Sequence, residues 1–542
     1  LATDKPCLLC HFRQPETPPH QLLRIIEKMN STFKPLFTAS LLAMTLAACS
    51  NLGIKPLKDY APEYEQPVVE IPETFRYDLS AEEGAGIQAA SLGWKDYFAD
   101  PRLHALIDLA LQNNTDLKTA ALKVEEVRTQ YRITENSTLP NVNASASAGR
   151  SGAANGAGNR FSTGLSTSYE LDLWGKVKNT NESLLQAYFA TGAAKDSVHL
   201  TLIDSIAKAH FQEIYAEASM KLAERTLASY QETYRLSKLR HQAGVISNVD
   251  LLAQQAQIEN AKSSYASATR AREMARNALE VLISQPLPKN LPKPLALDKQ
   301  YKIRNLPAGL SSQVMLNRPD IRKAEFDLKQ ANANIGIARA ALYPSISLTG
   351  SLGLVNSQLS NLFKSESKNW SVGAGVNNFS IFDWGNKKAN IEVEKLQQQQ
   401  VALAYERAVE TAFQEVSDAL VSRAAFNSQL QSNQAQRAAQ NERLRLINLR
   451  YKHGIASSLD LLDAQRSSYQ TENALLATQL NLLNNMADLY KVLGGGLKRH
   501  TSDEPQIMEQ IQTAQKTLLE AAKDVKEKVQ DKISKKAKKA AE

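Results

Sequence analysis

Cysteine is almost missing from this chain of 542 residues: there are three, at positions 7, 10 and 49. Nothing after residue 49 can therefore be held by a disulfide framework. Aromatic residues make up 6%, with only 23 Gly and 19 Pro, which excludes collagen-like and Gly/Pro-rich disordered classes. No apolar run is long enough for a bilayer-spanning helix of roughly 20 residues, and mean hydropathy is −0.36, so the chain is not a polytopic helical membrane protein. A strong basic surface is also missing. The formal charge of +8 gathers at the ends: five basic against three acidic residues in 1–48, and eight Lys against four acids in 521–542. The body between is close to neutral, which excludes a nucleic-acid footprint.

Sites of chemistry are absent from the pattern too. The eight His are scattered with no H-x-x-x-H, and neither G-x-S-x-G nor G-x-x-x-x-G-K-[ST] occurs. Cys7-Leu8-Leu9-Cys10-His11 matches the C-x-x-C-H haem pattern, but it precedes Met29, a better start, and is read as part of a non-native leader over 1–28. From Met29 a charged residue (Lys34), a short apolar stretch (Leu36–Leu46) and Ala47-Ala48-Cys49 make a signal peptide over 29–48. Leu46-Ala47-Ala48-Cys49 resembles a bacterial lipobox, so Cys49 is the expected lipidation site. The alternative is an ordinary signal peptide with an incidental Cys.

What is present is a repeat. Asp116 to Pro140 and Asp320 to Pro344 enclose equal intervals at an offset of 204. Leu239–Leu252 and Leu449–Leu462 share seven of fourteen residues at an offset of 210, as do Trp174-Gly175 and Trp384-Gly385. Each copy reads in the same order. A helix of about 30 residues ends at Pro, which cannot sit inside a helical ladder. Two segments of alternating polarity follow, Val142–Ala148 and Leu165–Leu171, then Ile346–Leu352 and Trp370–Val376; period two marks strands with one apolar face. The Gly-rich or polar stretches 149–160 and 354–369 are expected loops. Next come Lys176–Arg240 and Lys387–Arg450, nearly free of Gly and Pro, each long enough for a helix of roughly 100 Å, with Val409, Phe413, Val416 and Leu420 as a seam. Gly244 and Gly454 turn the chain, and Asp250 and Asp460 open returning helices to Ser284 and Leu493. Four strands cannot close a barrel, whose smallest members have eight, and an open edge cannot face lipid; strands in a membrane must be shared between chains. The turns admit two readings, tight turns only or a contact surface. Asp460 and Asp463 share a helix face and are either a solvated helix start or, repeated about a symmetry axis, a ring of like charges that attracts cations or raises pKa values.

The lipobox, the two repeats, Asp172-Leu173-Trp174-Gly175-Lys176, Asp383-Trp384-Gly385 and the paired Arg-x-x-x-Gly-[Val/Ile]-x-x-x-x-Asp turns resemble the TolC/OprM superfamily over roughly residues 46–500. Leu462–Tyr469, Asn332–Gly336 and Leu493–Lys498 are similar to its lipoprotein (NodT-like) branch, which serves RND multidrug pumps. The resemblance implies an α+β membrane protein, a homotrimer whose long helices form a twelve-helix α-barrel across the periplasm and whose strands share a twelve-strand outer-membrane β-barrel. It implies a passive efflux duct, not an enzyme, with no cofactor beyond the lipid on Cys49. Its partners would be a periplasmic adaptor, an inner-membrane RND transporter and outer-membrane lipid, with no nucleic acid. Arg240, Gly244, Val245, Ser247, Arg450, Gly454, Ile455, Ser457 and Leu459 would form the adaptor-contacting tip. Asp460, Asp463, Asp250, Tyr451 and Lys452 would form the periplasmic gate; Ala456 stands where TolC itself uses an arginine, so that bridge is absent or rewired. The expected organisation is a lipidated segment 49–100, repeat 1 over 101–290, a linker 291–310, repeat 2 over 311–498, and a basic tail 499–542 in which Ile511, Leu518, Val525, Val529 and Ile533 could make a helical face. The competing readings are a lipid-anchored periplasmic coiled-coil spacer without a pore, and a duct for metal ions or proteins.

Overall fold

The structure is a computed structural model describing residues 59–72, 75, 89–153, 156–303, 306, 312–377, 380 and 382–501. Cys49, the signal segment and the basic tail beyond Thr501 lie outside the described residues. Helices α1 (Trp94–Tyr97), α2 (Pro101–Asn113) and α3 (Thr115–Asn136) lead into strands β1 (Asn141–Ala153) and β2 (Gly156–Leu171), then helices α4 (Lys176–Gln242) and α5 (Asn248–Ile283). The second repeat follows the same plan: α6 (Pro319–Ala340), β3 (Ser345–Asn356), β4 (Lys368–Asn377), α7 (Asn386–Lys452) and α8 (Ser458–Val492). Compactness cuts across the repeats: the strands of both form one unit, 135–175 with 343–381, and the helices of both form another.

In the strand unit the four strands make one antiparallel sheet in the order β1-β2-β3-β4. The expected loop 149–160 is corrected here. β1 and β2 stay paired through Gly149↔Arg160 to Ala153↔Gly156. Residues 149–158 are small or polar, and nothing in them objects to a ladder whose backbone groups satisfy each other. The expected loop 354–369 is likewise shorter, since β3 runs to Asn356 and β4 starts at Lys368. Register puts Val142, Leu165, Leu348, Leu352, Trp370, Val372 and Val376 on one face, and Ser145, Ser147, Ser162, Ser347, Ser351 and Ser371 on the other. Serines meet across strands at 2.7 Å (Ser147–Ser162) and 2.8 Å (Ser351–Ser371). The Trp174 indole stacks on Tyr343 and donates to the Pro344 carbonyl at 2.8 Å, closing the base of this unit.

In the helical unit α4 and α7 each run 67 residues. The seam is as expected: Val409, Val416 and Leu420 are buried, with Phe413 packed against them. The initial helix is shorter than its predicted 30 residues. Asn114 stands at its start, between α2 and α3; its Oδ1 accepts from the Leu117 N–H at 2.9 Å and its Nδ2 donates to the Leu282 carbonyl at 2.8 Å. The core is aromatic. Tyr97 stacks on Tyr490 at 4.2 Å and meets Phe98 and Tyr301 edge-on. Each hydroxyl finds a backbone carbonyl: Tyr97 to Met486, Tyr301 to Leu483, Tyr490 to Leu92, as buried phenols require. Burial without a counter-charge pushes the Tyr301 and Tyr490 phenols well above their ordinary range.

The motif Asn332–Gly336 is a packing device. Asn332 donates to the Pro62 carbonyl at 2.8 Å and Asn334 accepts from Ser183 at 2.8 Å. A Cβ on Gly336 would meet the Asn179 side chain at 2.8 Å and the Ala61 methyl at 2.9 Å. The chain at Tyr60–Pro62 thus lies against α6, which only a glycine at 336 permits.

Candidate functional site

The two helical turns are built alike. After α4 the Val245 N–H donates to the Arg240 carbonyl at 2.9 Å and the Gly244 N–H to His241 at 2.9 Å; after α7 the Ile455 N–H donates to Arg450 at 2.9 Å and the Gly454 N–H to Tyr451 at 3.1 Å. This double closure needs a left-handed residue, and both glycines have φ of +73°. Ser247 and Ser457 then cap α5 and α8 in reciprocal boxes with Asp250 and Asp460. The Asp460 N–H donates to Ser457 Oγ at 3.1 Å, and the Ser457 N–H donates to the Asp460 carboxylate at 3.0 Å. The shared Ser and Asp of the repeat are therefore first of all helix caps, which satisfy otherwise orphaned N–H groups.

Arg240 and Tyr451 join the two hairpins. The Tyr451 ring is buried, its hydroxyl 2.7 Å from Ser237 Oγ. The Arg240 guanidinium lies over that ring and donates to the carbonyls of Tyr451 and Lys452, the last residues of α7. Burial raises the Tyr451 phenol, but hydrogen bonds from Ser237 and Ser458 and the Arg240 charge outweigh it, leaving it below its ordinary value. Arg240, half-buried, thus engages the end of α7 within the protomer. Its repeat partner Arg450 is exposed.

The two acids of the expected gate are held separately. Asp460 is engaged with Ser457, whose hydrogen bonds lower its pKa below the usual 3.8, with Arg450 and Arg443 adding to the effect. Asp463 pairs with Arg443 at 2.7 Å and Arg466 at 3.0 Å, and these bonds lower it too. Within one protomer the carboxyls are made more acidic, the reverse of like-charge repulsion. Lys452 contributes its backbone carbonyl, to Arg240. Sequence reasoning missed Arg443, Arg466 and Ser237. The i, i+3 step from Asp463 to Arg466 is visible in the sequence, but Arg443 and Ser237 lie on other helices. Around these groups the tips expose aliphatic side chains: Val245, Val249, Leu252, Ile455 and Leu459. Below them Tyr230, Ile258 and Ala261 pack with Leu462, and Gln465 donates to Ser229 and Thr233 at 3.2 and 3.1 Å.

An amphipathic sheet, paired helices of 67 residues and capped apolar tips define a channel protomer. The profile of the outer membrane efflux protein family matches residues 106–285 and 310–495. The chain belongs to this family, and it is an outer-membrane exit duct of an efflux pump. It is 36% identical to the probable efflux pump outer membrane protein TtgC of Pseudomonas putida, over 86% of this chain and 98% of that one. It is also 36% identical to the cation efflux system protein CusC of Escherichia coli K12, over 84% and 98%. The structure is similar to the open state of the MtrE outer membrane channel of Neisseria gonorrhoeae, with a TM-score of 0.76 and 49% identity, covering 82% of this chain and all of that one.

Proposed function

We propose that three copies of the chain assemble into one passive duct through the outer membrane, their strands closing a single barrel and their helices a periplasmic tube. The observation that carries this reading is the sheet: one face aliphatic, one face serine-rich, and β1 and β4 each with a single neighbour within the protomer. Such edges need partners in lipid, and a threefold repeat of four strands supplies them with an apolar exterior and a polar lumen.

The duct carries out no chemistry and holds no cofactor; a lipid on Cys49 tethers it. A periplasmic adaptor meets the exposed aliphatic tips, Val245, Ile455 and Leu459 with Gly244, Ser247, Gly454 and Ser457, and an inner-membrane RND transporter supplies both energy and cargo. Asp460, Asp463, Asp250, Tyr451 and Lys452 of three copies surround the periplasmic entrance. The cargo is small organic molecules, as the names of antibiotic, toluene and solvent efflux proteins similar to this chain suggest; the equal identity to the cation efflux protein CusC makes cations the second reading. Deleting the gene and measuring intracellular accumulation of a fluorescent organic dye and of copper tests both. Raised dye with unchanged copper is expected. Raised copper alone moves the assignment to cation export, and no change in either overturns the duct.

A further inference from the structure

Two cations stand on the aliphatic face of the sheet. Register places Lys368 on that face, opposite Leu354 and one step from Trp370, which is opposite Leu352. Arg150 stands on the same face of β1, in alternation with Val142, Ala144, Ala146 and Ala148. Both side chains are exposed. Each lies the same distance from the base of its strand: Val142 to Arg150 and Val376 to Lys368 are both eight residues. That is about 27 Å along the strand, or about 20 Å along the membrane normal at the usual barrel tilt. The cations therefore cap the aliphatic band at the end where both hairpins turn. The strand ends leading to helices lie at the other end, so the hairpin end faces the cell exterior.

A cation at the middle of a lipid-facing surface is strongly unfavourable, and near the interface nearly neutral. Position alone thus permits Arg150 and Lys368 but does not explain two of them above an otherwise charge-free band. The β3–β4 connection adds a second observation. It is locked by hydrogen bonds from Asn356 Nδ2 to Ser367 Oγ at 2.7 Å and from Ser367 Oγ to the Asn361 carbonyl at 2.8 Å, and Leu362 is buried within it. Yet it holds Leu359 and Phe363 out, 60% and 78% exposed, beside exposed Lys364. The connection lies beyond Lys368, at head-group level, where exposed Lys364 adds a third cation.

We infer that the hairpin end of the sheet is a binding site for the phosphorylated glycolipid of the outer leaflet. Arg150 and Lys368 take its phosphates, and Trp370 contacts the upper part of its acyl chains. This inference rests on the membrane-barrel reading of the sheet. The test reconstitutes the full-length protein in phosphatidylcholine nanodiscs with bisphosphorylated lipid A and counts retained lipid by native mass spectrometry. Wild type is expected to retain lipid A, and to retain dephosphorylated lipid A far less. R150Q/K368Q is expected to weaken retention by about thirtyfold, the weight of two membrane-surface cations, while R150K/K368R keeps it. Equal retention of the dephosphorylated lipid by wild type overturns the site whatever the variants do, as does undiminished retention by R150Q/K368Q. The heat-sensitive trimer band on a gel is read separately: its absence in wild type overturns the barrel, whereas its presence with no phosphate preference overturns only the lipid site.

Discussion

The Arg240 guanidinium sits 4.4 Å from the centre of the Tyr451 ring and 2.9 Å from the Tyr451 carbonyl oxygen. One side chain thereby ties the end of α4 to the end of α7, by a cation–π contact and by capping carbonyls that the helix itself leaves unpaired. Replacing it with Ala removes both and costs about 1–3 kcal/mol locally. Amide exchange over residues 449–455 should quicken by about five- to 150-fold; Arg240→Lys, which keeps the charge and loses the planar fork, should fall between. Unchanged exchange in Arg240→Ala would mean that Ser237, Ser458 and Gln254 hold the ring without it.

At the entrance, neutralising Asp460 and Asp463 to Ala in all three copies removes six carboxylates from the proposed constriction. In planar bilayers the trimer should show higher conductance and weaker cation selectivity than wild type. Asp250→Ala should change less, since Ala253 stands where the second repeat has Asp463. Both carboxyls are lowered in the folded chain. Their bonds are intact above the ordinary 3.8 and are lost as pH falls through the lower folded values, so acid should mimic the double variant. A double variant indistinguishable from wild type in both size and selectivity would leave these aspartates as helix-start residues.

Asp100 is an acid-sensitive point of the helical core. It is buried, accepts from His210 Nε2 at 3.0 Å and the Leu295 N–H at 2.9 Å, and caps α2 through the Arg102 N–H at 2.8 Å. Burial works to raise its pKa, but the His210 bond and charge and the two backbone N–H groups hold it below 3.8. Its stabilisation is complete above 3.8 and disappears as pH drops through the folded value. Asp100→Asn should destabilise by about 3–5 kcal/mol at neutral pH, as for a broken buried pair. The gap in melting temperature should narrow at a pH below 3.8; a gap independent of pH would assign the loss to packing.

Cys49→Ala should abolish incorporation of a labelled fatty acid and leave trimer yield largely intact, because the barrel itself holds the membrane. Label retained on the variant would remove the lipid from Cys49.

Much of this was legible in the sequence because it repeats. Gly244 and Gly454 mark the turns, Ser247 and Ser457 stand three before Asp250 and Asp460, and alternation gives the faces of all four strands. The hairpin through residues 149–160 was not legible, since its small residues carry no alternating signal and pairing is decided by the backbone. The tip was half legible. Asp463 is visible as a break in the repeat, but its partner Arg443 lies across α7, and the contact of Arg240 with Tyr451 depends on where α7 ends against α4. Contacts between distant helices leave no local periodicity, so Ser237, Arg443 and the Asp100–His210 pair needed coordinates.

The equal length of α4 and α7, 67 residues each, limits how this chain can change. A single inserted residue turns everything beyond it by about 100° and lifts it about 1.5 Å. In one long helix alone, that would swing Arg240 off Tyr451 and bring the two turns out of level. Insertions and deletions here should therefore survive only when matched in both repeats, and near whole turns. Close relatives should keep the two spans equal even where their sequences have drifted apart.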